Sequence, residues 1–236
     1  MKNHMYITHG GRGGSAKTTS MIALADTLVK MGKDFAAVDC DTENNGKSSS
    51  FGSYLKAELL DLRSTEECDR LLDIASQNSI TLVDLPANAG GDILPWVETA
   101  FEPSVLEAYD VDVTFLLSIT PESGAFASAM QWVDSLQDLV DYIVVLNRKV
   151  ATRTRLPSER VFPEYFGTAT GREFRKVFAP REVEIEGLVA GSMSAWAKKP
   201  ALPSAIESDP NFPVLDRARI NAWIKKIRPQ FERALA

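Results

Sequence analysis

Lys17 and Thr18 stand at the end of a glycine-rich stretch, Gly11-Arg12-Gly13-Gly14-Ser15-Ala16-Lys17-Thr18-Thr19. Glycines followed by a lysine and a hydroxyl suit the binding of a polyphosphate. Gly13 and Gly14 let backbone N–H groups turn inward around a phosphate. Lys17 has the length and charge to reach the terminal phosphates, and Thr18 offers a hydroxyl to a Mg²⁺ ion. The pattern G-x-x-x-x-G-K-[ST] is met at Gly11, Lys17 and Thr18, with Ala16 in place of its last glycine. A methyl group at that crowded point is expected to be tolerated at negative φ, because a non-glycine residue at positive φ is costly.

Two further groups of polar residues fall at the ends of apolar runs. Phe35 to Val38 lead into Asp39-Cys40-Asp41, and Ile80 to Val83 lead into Asp84-Leu85-Pro86. In open parallel sheets, ligands bind beyond the carboxyl ends of the strands, so Lys17, Asp39, Asp41 and Asp84 are expected to converge on one crevice. Strand alternation turns Cys40 away from its acidic neighbours, which predicts a core residue. His9, beside the loop, is expected to pack at a strand end. Cys40 and Cys68 make no disulfide framework and two histidines make no zinc site, which suits a reducing cytoplasm.

The order and spacing of these residues resemble the ParA/MinD-type ATPases, the deviant-Walker-A branch of the P-loop proteins (SIMIBI class). Their loop, K-G-G-x-G-K-[ST]-T, aligns with Arg12 to Thr19, arginine standing for the family's first lysine. Asp39-Cys40-Asp41 matches the next motif without its Pro-Gln-Gly. Asp84 and Pro86 match the Walker B strand, Thr120-Pro121 a proline turn, and Asn147-Arg148 the asparagine that reads adenine. The resemblance covers about residues 4 to 150. It implies ATP and Mg²⁺ as cofactors, with Gly11 to Thr19, Ser15 and Thr19 included, plus Asn147 and Arg148 around the nucleotide. Thr18 would bind Mg²⁺, Asp84 and Asp39 would hold it through water, and Asp41 would orient the attacking water. Lys17 would neutralise the phosphates, and Arg12 would cross into the partner's site of an ATP-dependent homodimer, where its planar fork suits phosphate oxygens.

These residues need strands and helices in alternation to hold them. Met5 to Thr8 read as a buried strand, and Met21, Ile22, Leu24, Ala25, Leu28 and Val29 recur at helical spacing after it. Further runs predict an edge strand at Leu59 to Leu62 and a helix over Glu66 to Ala75. A helix follows from Ile93 to Ala108, broken near Pro103, and then a strand from Val111 to Ile119. The last elements are a helix from Ala125 to Leu139, a strand from Tyr142 to Leu146 and a weaker one from Val183 to Leu188. That succession predicts an α/β fold, a mostly parallel sheet with helices on both faces. With 236 residues, 44% of them hydrophobic, the chain suits one P-loop domain over 1–236 whose helical last third, from about residue 150, diverges. No stretch is long and apolar enough to span a membrane, and no signal peptide is visible.

The last third carries the partner question. Arg153, Arg155, Arg160, Arg172, Arg175, Lys176 and Arg181 are interleaved with aromatics, a pattern shared by a nucleic-acid patch and by a helical insertion with solvated arginines. Ile220, Trp223, Ile224, Ile227 and Phe231 form a stripe that suits a sheet-covering helix and also a membrane-targeting one, with Pro229 expected to interrupt it. The leading expectation is a ParA-like nucleotide switch in plasmid or chromosome partition, or a related transfer or positioning task. Nonspecific DNA and a protein that stimulates hydrolysis would be its partners. The alternatives are a MinD-like positioning ATPase at a membrane, which is less favoured, and a metabolic or assembly enzyme of the same superfamily. The net charge of −6 speaks against indiscriminate DNA binding but leaves room for a local basic patch.

Overall fold

Short runs rich in β-branched and aromatic residues alternate with helical stretches, and every such run becomes a strand of one sheet. The computed structural model describes residues 2–9, 16–44, 50–148 and 156–236. The first half contains β1 (Asn3–Thr8), α1 (Lys17–Lys30), β2 (Ala36–Asp39), β3 (Glu58–Leu59), α2 (Thr65–Gln77), β4 (Ile80–Asp84), α3 (Gly90–Ala100) and α4 (Pro103–Tyr109). The second contains β5 (Val111–Ile119), α5 (Ala125–Leu136), β6 (Asp141–Asn147), α6 (Ser158–Val161), α7 (Pro163–Gly167), α8 (Ala169–Phe178), β7 (Arg181–Ile185), α9 (Ala190–Lys198), α10 (Pro203–Glu207) and α11 (Val214–Leu235). The sheet order is β3-β2-β4-β1-β5-β6-β7, and every neighbouring pair is parallel.

Alternation along the strands builds two cores. Met5 and Ile7 of β1 face a layer containing α2, α3, α5, α7 and α8, whereas Tyr6 faces α1, α9, α10 and α11. Helices therefore cover both faces, as parallel strands require. The last third of the chain is part of this sandwich. It supplies the edge strand β7, and α11 packs on both β7 and α1. The exposed edge of β7 is covered at one point by a side chain: Glu184 N–H donates to Gln230 Oε1 at 2.8 Å, and Gln230 Nε2 donates to Glu184 O at 3.0 Å. The amide takes the place of a missing strand there.

Several boundaries differ from the expected ones for identifiable reasons. The run at Leu59 to Leu62 contributes only Glu58–Leu59 to the sheet, because Leu60 and Leu62 turn into the core. The strand expected at 183–188 is Arg181–Ile185, and the residues after it form a loop. The helix near Pro103 does break, with Pro103 as the first residue of α4, where its missing N–H costs nothing. Pro229, by contrast, does not interrupt α11, which continues to Leu235. Neighbouring side chains hold the helix across it: Ile227 and Phe231 are buried, Arg228 Nε pairs with Asp26 at 2.7 Å, and Gln230 bonds Lys226 O.

The aromatics between 160 and 180 face inward. Phe162, Tyr165 and Phe174 are buried, and Arg175 lies 5.0 Å from the Phe166 ring centroid, while Arg172 and Lys176 are solvated. Arg153 and Arg155 lie outside the described residues. The stripe on α11 is likewise taken up by the core, with Ile220, Trp223, Ile224, Ile227 and Phe231 all buried. Among the described residues, no helix is long and apolar enough to cross a membrane.

Candidate functional site

The sheet order places β2, β4 and β1 side by side, so their carboxyl ends bring Asp39, Asp84 and Thr8 together; Asp39 and Asp84 are register partners. Asp84 is 2% exposed and both its oxygens are engaged. Thr18 Oγ1 donates to Oδ2 at 2.6 Å and Thr8 Oγ1 donates to Oδ1 at 3.1 Å. The Leu85 amide in turn donates to Thr8 Oγ1 at 2.8 Å, which fixes that hydroxyl. Burial pushes the Asp84 carboxyl up to about 7, and the charge of Asp39 adds to this against the hydrogen bonds from Thr18 and Thr8 and the charge of Lys17. A carboxylate held this way is short of positive charge.

Asp39 is held by backbone. Its Oδ1 accepts from Asp41 N–H at 3.0 Å and its Oδ2 from Gly52 N–H at 2.7 Å. Burial raises its pKa and these amides work against that. The approach of residue 52 is close enough that a Cβ there would stand 3.3 Å from Asp39 Oδ2. Lys17 opens α1 and is buried; burial lowers its pKa, and the charges of Asp84 and Asp41 raise it again. Asp41 is half-buried at the mouth of a small cavity shared with Pro86 and Arg63. Cys40 joins the core, as its place on the strand predicts, and its thiol is pushed well above its ordinary value by burial. His9 is also buried at the strand end, and burial followed by the charge of Lys17 takes its pKa down to about 3, so it is neutral.

Thr18, Asp84 and Asp39 present oxygen donors only, the set that a hard divalent cation such as Mg²⁺ takes. A cavity of about 170 Å³ continues from α1 past the end of β6 and is lined by Ala16, Thr19, Asn147, the loop after β7, Met193 and Trp223. Its walls are largely apolar, with Asn147 buried at one side. Arg148 does not line it. Its guanidinium, 9% exposed, pairs with Glu184 and donates to Ser158 Oγ at 3.1 Å, facing a neighbouring cavity of about 470 Å³. Only its backbone ties in, through N–H to Ile185 O at 2.9 Å.

Gly11, Arg12, Gly13, Gly14 and Ser15 lie outside the described residues. Ala16 is described, and the condition set for it in the sequence is not met: it sits at φ 64°, ψ 30°, in the left-handed region. Its carbonyl accepts both Ser20 N–H and Ser20 Oγ, each at 3.0 Å. Alanine there carries strain that glycine would not. Ala16→Gly is expected to stabilise the protein by about 1 kcal/mol despite the added freedom of the unfolded chain, measured as a shift in the urea midpoint. A loss of stability would mean that the turn is not strained.

Thr8 and the loop at 186–188 were not singled out in the sequence as site residues. Thr8 had a signal, a hydroxyl at the end of a strand next to the acid-bearing one. The loop had none, because which strand is the sheet's last is a fact of topology.

A family profile described as the CobQ/CobB/MinD/ParA nucleotide binding domain (CbiA) matches residues 6–188. The fold is similar to that of the MinD cell division protein of Aquifex aeolicus, at 16% identity and a TM-score of 0.51, over 99% of this chain and 96% of that one. A weaker likeness is to the signal recognition particle 54 kDa protein of Aeropyrum pernix in complex with GDP, at 16% identity and a TM-score of 0.49, over 79% and 42% of the two chains. No curated protein sequence matches the chain. With the profile matching residues 6–188, most of its length, the chain belongs to the CobQ/CobB/MinD/ParA nucleotide-binding family.

Proposed function

We propose that the chain is a Mg²⁺-dependent ATPase of the ParA kind that dimerises on ATP and acts as a nucleotide switch in DNA partition, or in a related transfer or positioning task. The observation that carries this reading is the buried contact of Thr18 Oγ1 with Asp84 at 2.6 Å, with Lys17 and Asp39 beside it and a base-sized cavity further along the sheet. When bound, Mg²⁺ supplies charge neutralisation at the β- and γ-phosphates. Thr18 would bind the ion directly, Asp84 and Asp39 would hold it through water, and Lys17 would share the phosphate charge. The sequence motif assigns the phosphates to Gly11, Gly13, Gly14 and Ser15 and the contact with a second subunit to Arg12, all of which lie outside the described residues. Asp41 orients water, Thr19 and Ala16 border the base, Asn147 reads it, and Arg148 supports that wall from behind. Phosphoryl transfer is mostly positioning and electrostatics, and those are the roles these residues would fill.

The test is sedimentation with ATP and Mg²⁺ against ADP, using Asp41→Ala to hold the ATP state. A dimer that forms only with ATP, with hydrolysis reduced by about 100-fold or more in the variant, is the expected result. A monomer under both conditions would favour an enzyme of the metabolic or assembly kind. Binding to nonspecific DNA should fall steeply as salt rises. Binding to anionic vesicles in its place would favour the membrane alternative, although the α11 stripe is already used in packing.

A further inference from the structure

The sheet order sets β5 between β1, whose other neighbour β4 carries Asp84, and β6, whose end borders the base cavity. A nucleotide laid along the crevice with its terminal phosphates over β4 and β1 and its base beyond β6 therefore brings its α-phosphate to the end of β5. Thr120 is the first residue past that end. It continues the row of Leu116 and Ser118, which faces α1: Leu116 packs in the α1 layer, and Ser118 Oγ lies 3.0 Å from Ser20 Oγ. Ser20 is in the first turn of α1, so one step beyond Ser118 is the level at which that helix begins. Thr120 is 4% exposed, and its Oγ1 is buried with no hydrogen-bond partner among the described residues. A buried hydroxyl left this way costs the fold stability. Thr81 Oγ1 is in the same condition, but it stands in the body of β4 beside Met5, away from the crevice.

We propose that Thr120 is a nucleotide-binding residue whose Oγ1 donates to a non-bridging oxygen of the α-phosphate. This rests on the nucleotide reading above. A hydroxyl rotates to suit its partner and can donate to an anion. The N-terminal end of α1 beside it adds partial positive charge, which favours a phosphate there over an uncharged group. The hydroxyl takes stability from the nucleotide-free fold and gains its partner on binding, so removing it should move stability and affinity in opposite directions. A hydroxyl that braced the fold would move stability the other way.

Thr120→Val replaces the hydroxyl by a methyl group of nearly the same size. The nucleotide-free variant is expected to melt at the wild-type temperature or above it. Calorimetric titration with Mg²⁺ is expected to show ATP and ADP bound about five- to tenfold more weakly, and both alike, because both carry the α-phosphate. Thr120→Ser keeps the hydroxyl and is expected to stay within about threefold of the wild type. ATP with sulfur in place of one α-oxygen, tried as each of its two diastereomers, tests the contact directly. For one diastereomer the valine substitution should cost little, because sulfur accepts hydrogen bonds weakly. Unchanged ATP and ADP affinities in the valine variant, a loss confined to ATP, an equal loss with both sulfur diastereomers, a serine variant as weak as the valine one, or a valine variant that melts lower or fails to fold would each overturn the proposal and leave the nucleotide site standing. A wild type that binds neither ATP nor ADP would overturn both.

Discussion

Asp84→Asn is expected to stabilise the nucleotide-free protein while weakening Mg²⁺-dependent nucleotide binding and hydrolysis by about 10- to 100-fold or more. The asparagine keeps the polar contacts: its carbonyl oxygen accepts from one of the two threonine hydroxyls and its amide donates to the other. It loses the charge that a divalent ion needs. What the fold gains is relief from a buried carboxylate beside a second acid, and the size follows from the displacement of Asp84 from 3.8 to about 7, on the order of 4 kcal/mol at most.

The pH dependence makes this expectation specific. Below pH 3.8 the group is protonated in folded and unfolded chains alike and contributes nothing. As pH rises toward 7 the unfolded chain gives up the proton while the folded one keeps it, so the wild type is penalised progressively, and above 7 the penalty is complete. The difference in unfolding free energy between variant and wild type should therefore be near zero at pH 4 and largest at pH 8. Denaturant unfolding across that range measures it. A variant less stable than wild type at pH 8, or a difference that does not change with pH, would show that Asp84 is not strained by its site.

How such a group comes to be buried was partly legible in the chain. The apolar runs ending in Asp39 and Asp84 announced strands with acids at their ends, and one rule about parallel sheets was enough to bring them to one crevice. Strand order was not legible, because nothing local in Ala36–Asp39 or Ile80–Asp84 says that β4 lies between β2 and β1. For that reason Thr8, which braces Asp84, and the loop after the last strand could not be placed at the site. The positive φ of Ala16 was hidden for another reason. The backbone path into α1 sets it, and the residue type argued against it. Pro229 misled in the same direction, since local propensity stops a helix that tertiary packing carries through.

The same packing underlies the second large effect, the loss of stability expected in Arg228→Ala. Asp26 lies in the middle of α1 and is fully buried, and Arg228 reaches it from α11, across 202 positions of sequence, with Nε to Oδ2 at 2.7 Å. Ser204 N–H donates to the other oxygen at 2.6 Å, so α10 joins the same anchor. Removing the guanidinium leaves a carboxylate with one hydrogen bond inside an apolar layer, at a cost of about 3–5 kcal/mol. The pair itself is a different matter. Arg228 Nη2 is buried with no hydrogen-bond partner among the described residues, so the desolvation of the cation is incompletely compensated. A combined Asp26→Leu and Arg228→Met variant is therefore expected to recover most or all of the lost stability, as buried pairs often do when both charges are replaced. If the double variant is as unstable as the single one, the pair contributes net stability after all. If it recovers, the pair's role is to set how α11 and α10 seat on α1, the helix that begins with Lys17, and urea unfolding of the three proteins separates these outcomes.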